Sequence, residues 1–431
     1  MKLYSTKHQS PDVELKEAVF RGLPQDNGLY MPYTIPRLPS SFFDSIETLS
    51  LQEMAFEVAK ALIDDIPVDR LKKIVYDTLS FEVPLVNVHD SIYSLELIHG
   101  PSHAFKDFGA RFMARLMSYF LEKDQREINI LVATSGDTGS AVAQGFYGTP
   151  GVKVTILYPS GKVSDIQEKQ LTTLGQNITA LEIQGNFDDC QRLVKTAFLD
   201  KEVTDRVNLS SANSINIARL IPQSFYYFHA YARLKHLNKP LVFSVPSGNY
   251  GNICGGLIAQ RMGLPVYKFV ASTNANDVIP RFLKSGKFEP KDSIPTISNA
   301  MDVGNPNNFP RLEEIHDKDF QKIVSNIVGK SYTDAQTKDA FHSVFKKYHY
   351  AMCPHTSIAY LGLQDFLKEE GKDLVGVFLA TAHPAKFLDV LDEEVTASVK
   401  VPQSLIDVQK KEKRSVLMGS NYGDLKSYLL A

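Results

Sequence analysis

Cysteine is scarce in this chain: Cys190, Cys254 and Cys353 are the only three in 431 residues. An odd, widely spaced set makes neither a disulfide framework nor a paired CxxC zinc site, and it fits a reducing compartment. Long apolar runs are missing too. No stretch reaches the roughly 18 consecutive apolar residues of a membrane span. The first 20 residues lack the apolar core of a secretory signal and bring in Asp12, Glu14 and Glu17 early. The expectation is a soluble, cytoplasmic protein with no membrane partner. Nor does charge of one sign prevail, with 47 basic against 49 acidic side chains and a formal net charge of -2. A chain so balanced has no global field to hold a polyanion, so no nucleic-acid partner is expected.

Incomplete motifs exclude further chemistries. Gly329-Lys330-Ser331 resembles the end of a phosphate-binding loop, but the glycine required five residues earlier is Val324, which argues against nucleotide hydrolysis. No GxGxxG follows the first strand of an α/β unit, and no GxSxG turn presents a nucleophilic serine. His99 and His103 are four residues apart, but Gly100-Pro101 breaks any helix that would align them, so no metal site is expected. Tandem repeats and low-complexity tracts are absent.

What the chain has is apolar material, 43% of its residues, enough for two or three packed domains at roughly 100–200 residues each. Ser10-Pro11-Asp12 reads as a helix N-cap followed by proline, and Ser50 with Glu53 has capping-box spacing. The first 80 residues are therefore expected to be mostly helical. From about residue 84, short β-branched apolar runs alternate with amphipathic segments. The runs at 128–134, 152–159, 241–246, 266–272 and 374–381 each suit a strand buried on both faces. This alternation predicts an α/β protein with parallel sheets, whose ligands gather at the C-terminal ends of strands.

Two loops after such runs share the pattern S-G-[DN]-x-G: Ser135-Gly136-Asp137-Thr138-Gly139 and Ser247-Gly248-Asn249-Tyr250-Gly251. Glycine lets backbone approach a ligand, and the helix that follows offers unpaired N–H groups and a positive dipole end. Both loops are candidate anion cradles, although Gly and Asn are also common in ordinary turns. In residues 100–120, Phe108, Phe112, Leu116 and Phe120 recur every four positions, with Phe105, Met113 and Met117 alongside. That is the buried face of a helix. Lys106 stands at its start, where the dipole and the phenylalanines both lower an amine's proton affinity, as a Schiff-base lysine requires; Asp107 acts in the opposite sense. A lysine snorkelling from a helix end is the competing reading. Asn213 is a candidate N-cap for a long helix running to about residue 235, with Ser214 in its first turn. Arg219, within two turns of that end, could clamp a carboxylate or phosphate. Thr381 follows the last strong strand, as a ligand-facing hydroxyl or as an N-cap for the segment 384–391.

The segments GLYMPY, GPSHAFKDFGARF, LVATSGDTGSA, LYPSGKVS, NSINIARL, VPSGNYGN, SNAMDVGNPNNFPR and ATAHPAKF, with the initial MKLYSTKH, are together similar to the threonine synthases. The ordered set spans essentially the whole chain, and S-x-x-F-K-D-x-G from Ser102 to Gly109 is its most specific element. The resemblance implies a pyridoxal 5'-phosphate lyase of fold type II, related to the tryptophan synthase β subunit. It implies two parallel-sheet α/β lobes with the active site between them (83–395), a mostly helical N-terminal domain (1–82) and a C-terminal helical extension (396–431).

By the same resemblance Lys106 is the covalent anchor of the cofactor and the catalytic base and acid. Gly248, Asn249, Tyr250, Gly251 and Asn252 hold its phosphate, Thr381 its pyridine nitrogen, and Asp137 lies near its ring. Asn252 stands where many relatives have an acid, which weakens any need for a carboxylate there. A neutral partner at the nitrogen leaves it unprotonated more readily than an aspartate would. Ser135 and Thr138 are implied in gripping the amino-acid substrate. Ser102, Asn213, Ser214 and Arg219 are candidates for the substrate phosphate. The implied reaction turns O-phospho-L-homoserine and water into L-threonine and phosphate, the last step of threonine biosynthesis, in a monomer. A phospho-lyase releasing 2-oxobutyrate shares the early steps. A non-catalytic protein on the same fold would be expected to have lost Lys106.

Overall fold

Buried β-branched runs pair into two parallel-rich sheets whose strands point their C-terminal ends toward a common crevice. The structure, a computed structural model, describes residues 1–124, 126–134 and 136–431. In spatial order the larger sheet holds Ile327–Ser331, Lys268–Thr273, Leu241–Pro246, Val375–Ala380, Ile92–Glu96 and Leu85–His89. Only the last strand runs antiparallel to its neighbour. The smaller sheet is parallel throughout: Val416–Gly419, Ile178–Gln184, Val152–Pro159, Ile128–Ala133 and Leu209–Ser210. Leu241–Pro246 and Val375–Ala380 are buried at every position, as expected of strands covered by helices on both faces. All five strand runs read from the sequence are present, and the fold is the expected two-lobed α/β architecture.

The helix Lys106–Leu121 buries Phe108, Phe112, Met113, Leu116, Met117 and Phe120, the predicted face. Ser50 and Glu53 form the predicted capping box at the start of Leu51–Leu62. Elsewhere the structure departs from the sequence reading. Ser10 caps no helix: Val13–Glu14 pairs antiparallel with the strand Lys2–Ser5, and the helix starts only at Leu15. Together with Tyr30–Pro32 these strands form a small third sheet in the N-terminal region. Asn213 is not the N-cap either. Asn216 takes that role, accepting from the Ala218 amide at 3.0 Å, and the long helix breaks into Ile217–Leu220, a 3-10 turn with Pro222, and Phe225–Leu234. Residues 396–431 are not purely helical, because Val416–Gly419 adds an edge strand to the smaller sheet before the helix Tyr422–Leu430.

Arg311, wholly buried, ties these regions together. Its guanidinium donates to the carbonyls of Tyr30, Ser214 and Ile215 and to Asn308 Oδ1 at 2.7–3.3 Å. The N-terminal sheet, the 213–216 turn and the helix Phe309–Ile315 are thus joined by one planar donor fork. Phe112 is fully buried and packs edge-on to Phe225 at 6.0 Å. Its truncation, Phe112→Ala, is expected to cost about 3–5 kcal/mol through lost burial and a residual cavity, read as a lower midpoint of urea unfolding.

Candidate active site

The crevice between the two sheets is a cavity lined by Lys106, Asp137, Arg219, Tyr250, His355 and Thr381, among others. It sits at the C-terminal ends of the parallel strands, where such folds place ligands. Lys106 is the first residue of its helix, and the backbone before it is anchored to the strand end opposite. Phe105 N–H donates to the Thr381 carbonyl at 2.9 Å, and Ala104 bridges Ala382. Among the described residues no carboxylate forms an ion pair with the Lys106 amine. Burial lowers its pKa to about 8, opposed by the charge of Asp137 and reinforced by Lys386 and Arg219. A large part of the amine population is therefore neutral near pH 8.

Asp137 opens the helix Asp137–Phe146 in the lobe of the smaller sheet. Its Oδ1 meets the Lys386 ammonium at 2.5 Å and accepts from Gln167 Nε2 at 3.0 Å. Burial disfavours the charge, but Lys386 and Lys106 outweigh it and hold the carboxyl well below the usual range. Lys386 also donates to the Ser102 carbonyl at 2.9 Å and has no exposed side-chain surface. His355, in the same wall, is driven down to about 4 by burial, against the pull of Asp137 and together with the repulsion of Lys106 and Lys386. It is neutral at pH 7, and Nε2 accepts from the Ala300 amide at 3.2 Å.

The second glycine loop leads into the helix Gly251–Arg261, whose N-cap Tyr250 takes a left-handed conformation at φ 61. That conformation turns the chain so that the loop meets the helix's first, unpaired amides at the cavity. The Tyr250 hydroxyl is buried without a hydrogen-bond partner, and burial raises its pKa far above normal. Gly248 is tightly enclosed: a Cβ there would lie 2.8 Å from Met301 Cα and 3.2 Å from the Ala300 carbonyl oxygen. Asn249 faces the next segment, its Oδ1 accepting from the Asn307 amide at 3.2 Å and its carbonyl from Asn308 Nδ2 at 2.9 Å. Asn252 lines the cavity, but its side chain is occupied with backbone, donating to the Pro246 carbonyl at 2.7 Å and accepting from Ile253 N–H at 3.0 Å.

Arg219 is 3% exposed and has no carboxylate partner among the described residues; it donates to the Ala212 carbonyl, and its Nε–H is buried unpaired. Burial lowers its pKa to about 10, with Asp107 acting in the opposite sense, so the group remains a cation at neutral pH. Gly109 allows this approach, since a Cβ there would lie 2.6 Å from Arg219 Nε. Asn213, Ser214 and Thr138 also line the cavity, and Ser214 Oγ accepts from Asn308 Nδ2 at 3.3 Å.

Ser102 is not among the lining residues. Its amide donates to Asp107 Oδ2 at 2.9 Å, and its hydroxyl is buried without a partner. Ser135 lies outside the described residues. Thr381 is no N-cap: His383 Nδ1 accepts from the Ala385 amide at 3.1 Å, and only the short turn Pro384–Lys386 follows. Lys386 and the 299–303 segment lie in segments quoted above but carry no site signal of their own in the sequence, and His355 and Gln223 have no spacing that ties them to the glycine loops.

Comparison with known proteins gives a consistent assignment. Residues 84–381 match the pyridoxal-phosphate dependent enzyme family, residues 2–79 the threonine synthase N terminus and residues 356–429 the threonine synthase C-terminal region. The chain is 44% identical over 432 residues to a threonine synthase of Haemophilus influenzae, covering all of both. Its structure resembles the crystal structure of threonine synthase from Escherichia coli (TM-score 0.91, 41% identity, 100% of this chain and 99% of that one). It likewise resembles the PLP-bound threonine synthase from Brucella melitensis (TM-score 0.91, 33% identity, 100% and 99%).

The residues of the cavity fit that cofactor. An amine of lowered proton affinity faces the cavity for a covalent bond, a closely packed glycine loop at a helix N-terminus suits a phosphate, and Thr381 offers a neutral hydroxyl. Gly248→Ala forces backbone against backbone at Met301. It is expected to weaken cofactor binding by about tenfold or more, measured by titrating cofactor into the freed protein. With sequence, fold and cavity in agreement, the chain belongs to the threonine synthase family of pyridoxal-phosphate-dependent lyases.

Proposed function

We propose that the protein converts O-phospho-L-homoserine and water to L-threonine and phosphate, with Lys106 as the catalytic amine. The observation that carries this reading is the pairing, in one cavity, of Lys106 with two separate anion sites: the 248–252 loop and the buried, carboxylate-free Arg219. A substrate that brings a phosphate of its own to a phosphate-bearing cofactor needs both.

When bound, the cofactor withdraws electrons from the substrate's Cα and Cβ, which makes protons there removable. Gly248, Asn249, Tyr250, Gly251 and Asn252 would hold its phosphate, mainly through backbone, Thr381 would serve its pyridine nitrogen, and Asp137 would lie near its ring. Lys106 Nζ anchors the cofactor until substrate arrives. It then removes the proton at Cα, moves protons at Cβ and Cγ as the γ-phosphate leaves and water adds at Cβ, and returns a proton to Cα. An amine that titrates near 8 can serve in both directions near neutral pH. Arg219 binds the substrate phosphate, with Asn213 and Ser214 beside it and Ser102 nearby. Thr138, with Ser135, grips the amino-acid substrate.

We further propose the units 1–82, 83–395 and 396–431; family segments that meet between residues 79 and 84 support the first boundary. We place the enzyme in the cytoplasm as a monomer. All three cysteines are buried free thiols, in keeping with a reducing compartment.

Incubation of the protein with O-phospho-L-homoserine is expected to yield threonine and phosphate in equal amounts; predominant 2-oxobutyrate contradicts the reading. Lys106→Ala is expected to abolish both turnover and the visible absorption of the bound cofactor. Arg219→Met is expected to raise KM for the phosphorylated substrate by about 10–100-fold, as the loss of a charged hydrogen-bonding partner worth roughly 1.5–3 kcal/mol implies, with cofactor absorption retained.

A further inference from the structure

Lys386 belongs to the short turn Pro384–Lys386, which leaves the larger sheet just after Thr381. Its ammonium crosses the crevice to Asp137, the first residue of a helix in the other lobe. The same ammonium holds the Ser102 carbonyl, four residues before Lys106, while Gln167 Nε2 donates to the Asp137 oxygen that Lys386 engages. Both partners are nearly without exposed surface, at 0% and 4% for the side chains. A buried ion pair is a poor way to stabilise a fold, since apolar residues of the same volume do as well or better. Asp137 lines the catalytic cavity, and a pair made to that carboxylate calls for another role.

The charged and titratable groups around Lys106 are Asp137, Lys386, Arg219 and His355, with Tyr250 and Asp302 lining the same cavity and Asp107 next to it in sequence. Asp137 is the cavity-lining carboxylate that draws a proton toward Lys106, yet the ion pair it forms is with Lys386. We propose that Lys386 is a positioning residue: by engaging Asp137 across the crevice, it keeps that carboxylate from pairing with Lys106 and leaves the Lys106 amine free to take up and release protons. Without Lys386, Asp137 stays buried, and Lys106 is the remaining cation whose charge acts on it. The two would pair, as an uncompensated buried charge demands. The lowered proton affinity of Lys106 agrees with this arrangement.

The inference rests on Lys106 being the reacting amine. Its test reads Lys106 without turnover, so its failure is distinguishable from failure of the proposed activity. The full-length chain, freed of cofactor, is treated with trinitrobenzenesulfonate across a pH series, and modification at Lys106 is followed by peptide mass mapping. In Lys386→Met the midpoint is expected to rise by about 1–3 pH units, and in Lys386→Arg to return to the wild-type value. In Asp137→Asn it is expected to fall, because the carboxylate that favours the ammonium is gone. A folded Lys386→Met protein with the wild-type midpoint overturns the proposal. If that variant does not fold, Lys386→Gln decides: a raised midpoint supports the proposal and the wild-type midpoint overturns it.

Discussion

Charge buried where two lobes meet is the constraint on which this structure depends. Lys106, Lys386 and Arg219 share the crevice region with Asp137 and Asp107, all of them largely removed from water. In such surroundings an unbalanced charge is costly, and each group must find a partner or shift its protonation. Asp137 has Lys386 and Gln167. Asp107 has the Ser102 amide, and burial still raises it to about 6. Asp302, on the same cavity wall, is likewise raised to about 6 by burial, against donors from Thr296 and Asn274. Among the described residues Lys106 and Arg219 are left without carboxylates, and these are the two groups to which we assign the covalent bond and the substrate phosphate.

The fold holds that balance by short, specific contacts. The helix Lys106–Leu121 is fixed by its buried aromatic face, so the position of Lys106 follows from packing at Phe108 and Phe112. Gly109, one turn further on, leaves room for Arg219 to come against that helix. Arg311 locks the 213–216 turn to the N-terminal sheet and so sets where the helix carrying Arg219 begins. The near-neutral chain and the phosphate chemistry are then compatible, because anions are met by a few local groups and by backbone amides, with no need for a basic surface.

Much of this was legible in the sequence where the signal is periodic or local. The four-residue spacing from Phe108 to Phe120 gave the helix and set Lys106 at its start, and the strand–glycine–helix texture marked both loops. Signals that depend on distant partners stayed hidden. Val13–Glu14 becomes a strand only because Lys2 and Leu3 pair with it, and Val416–Gly419 only because Ile178–Gln184 offers an open edge. Asn216, and not Asn213, caps its helix; its side-chain amide also donates to the Val19 and Ser211 carbonyls, contacts that no local rule anticipates. Lys386 and Asp137 lie 249 positions apart, and their pairing exists only once two sheets have brought their ends together.

The crevice itself, before any ligand binds, lowers the proton affinity of one lysine. The direct measurement is a heteronuclear NMR titration of the Lys106 side-chain nitrogen in the full-length, cofactor-free protein. A midpoint near pH 8 is the predicted result, whereas a midpoint near the ordinary lysine value of 10.5 would contradict it.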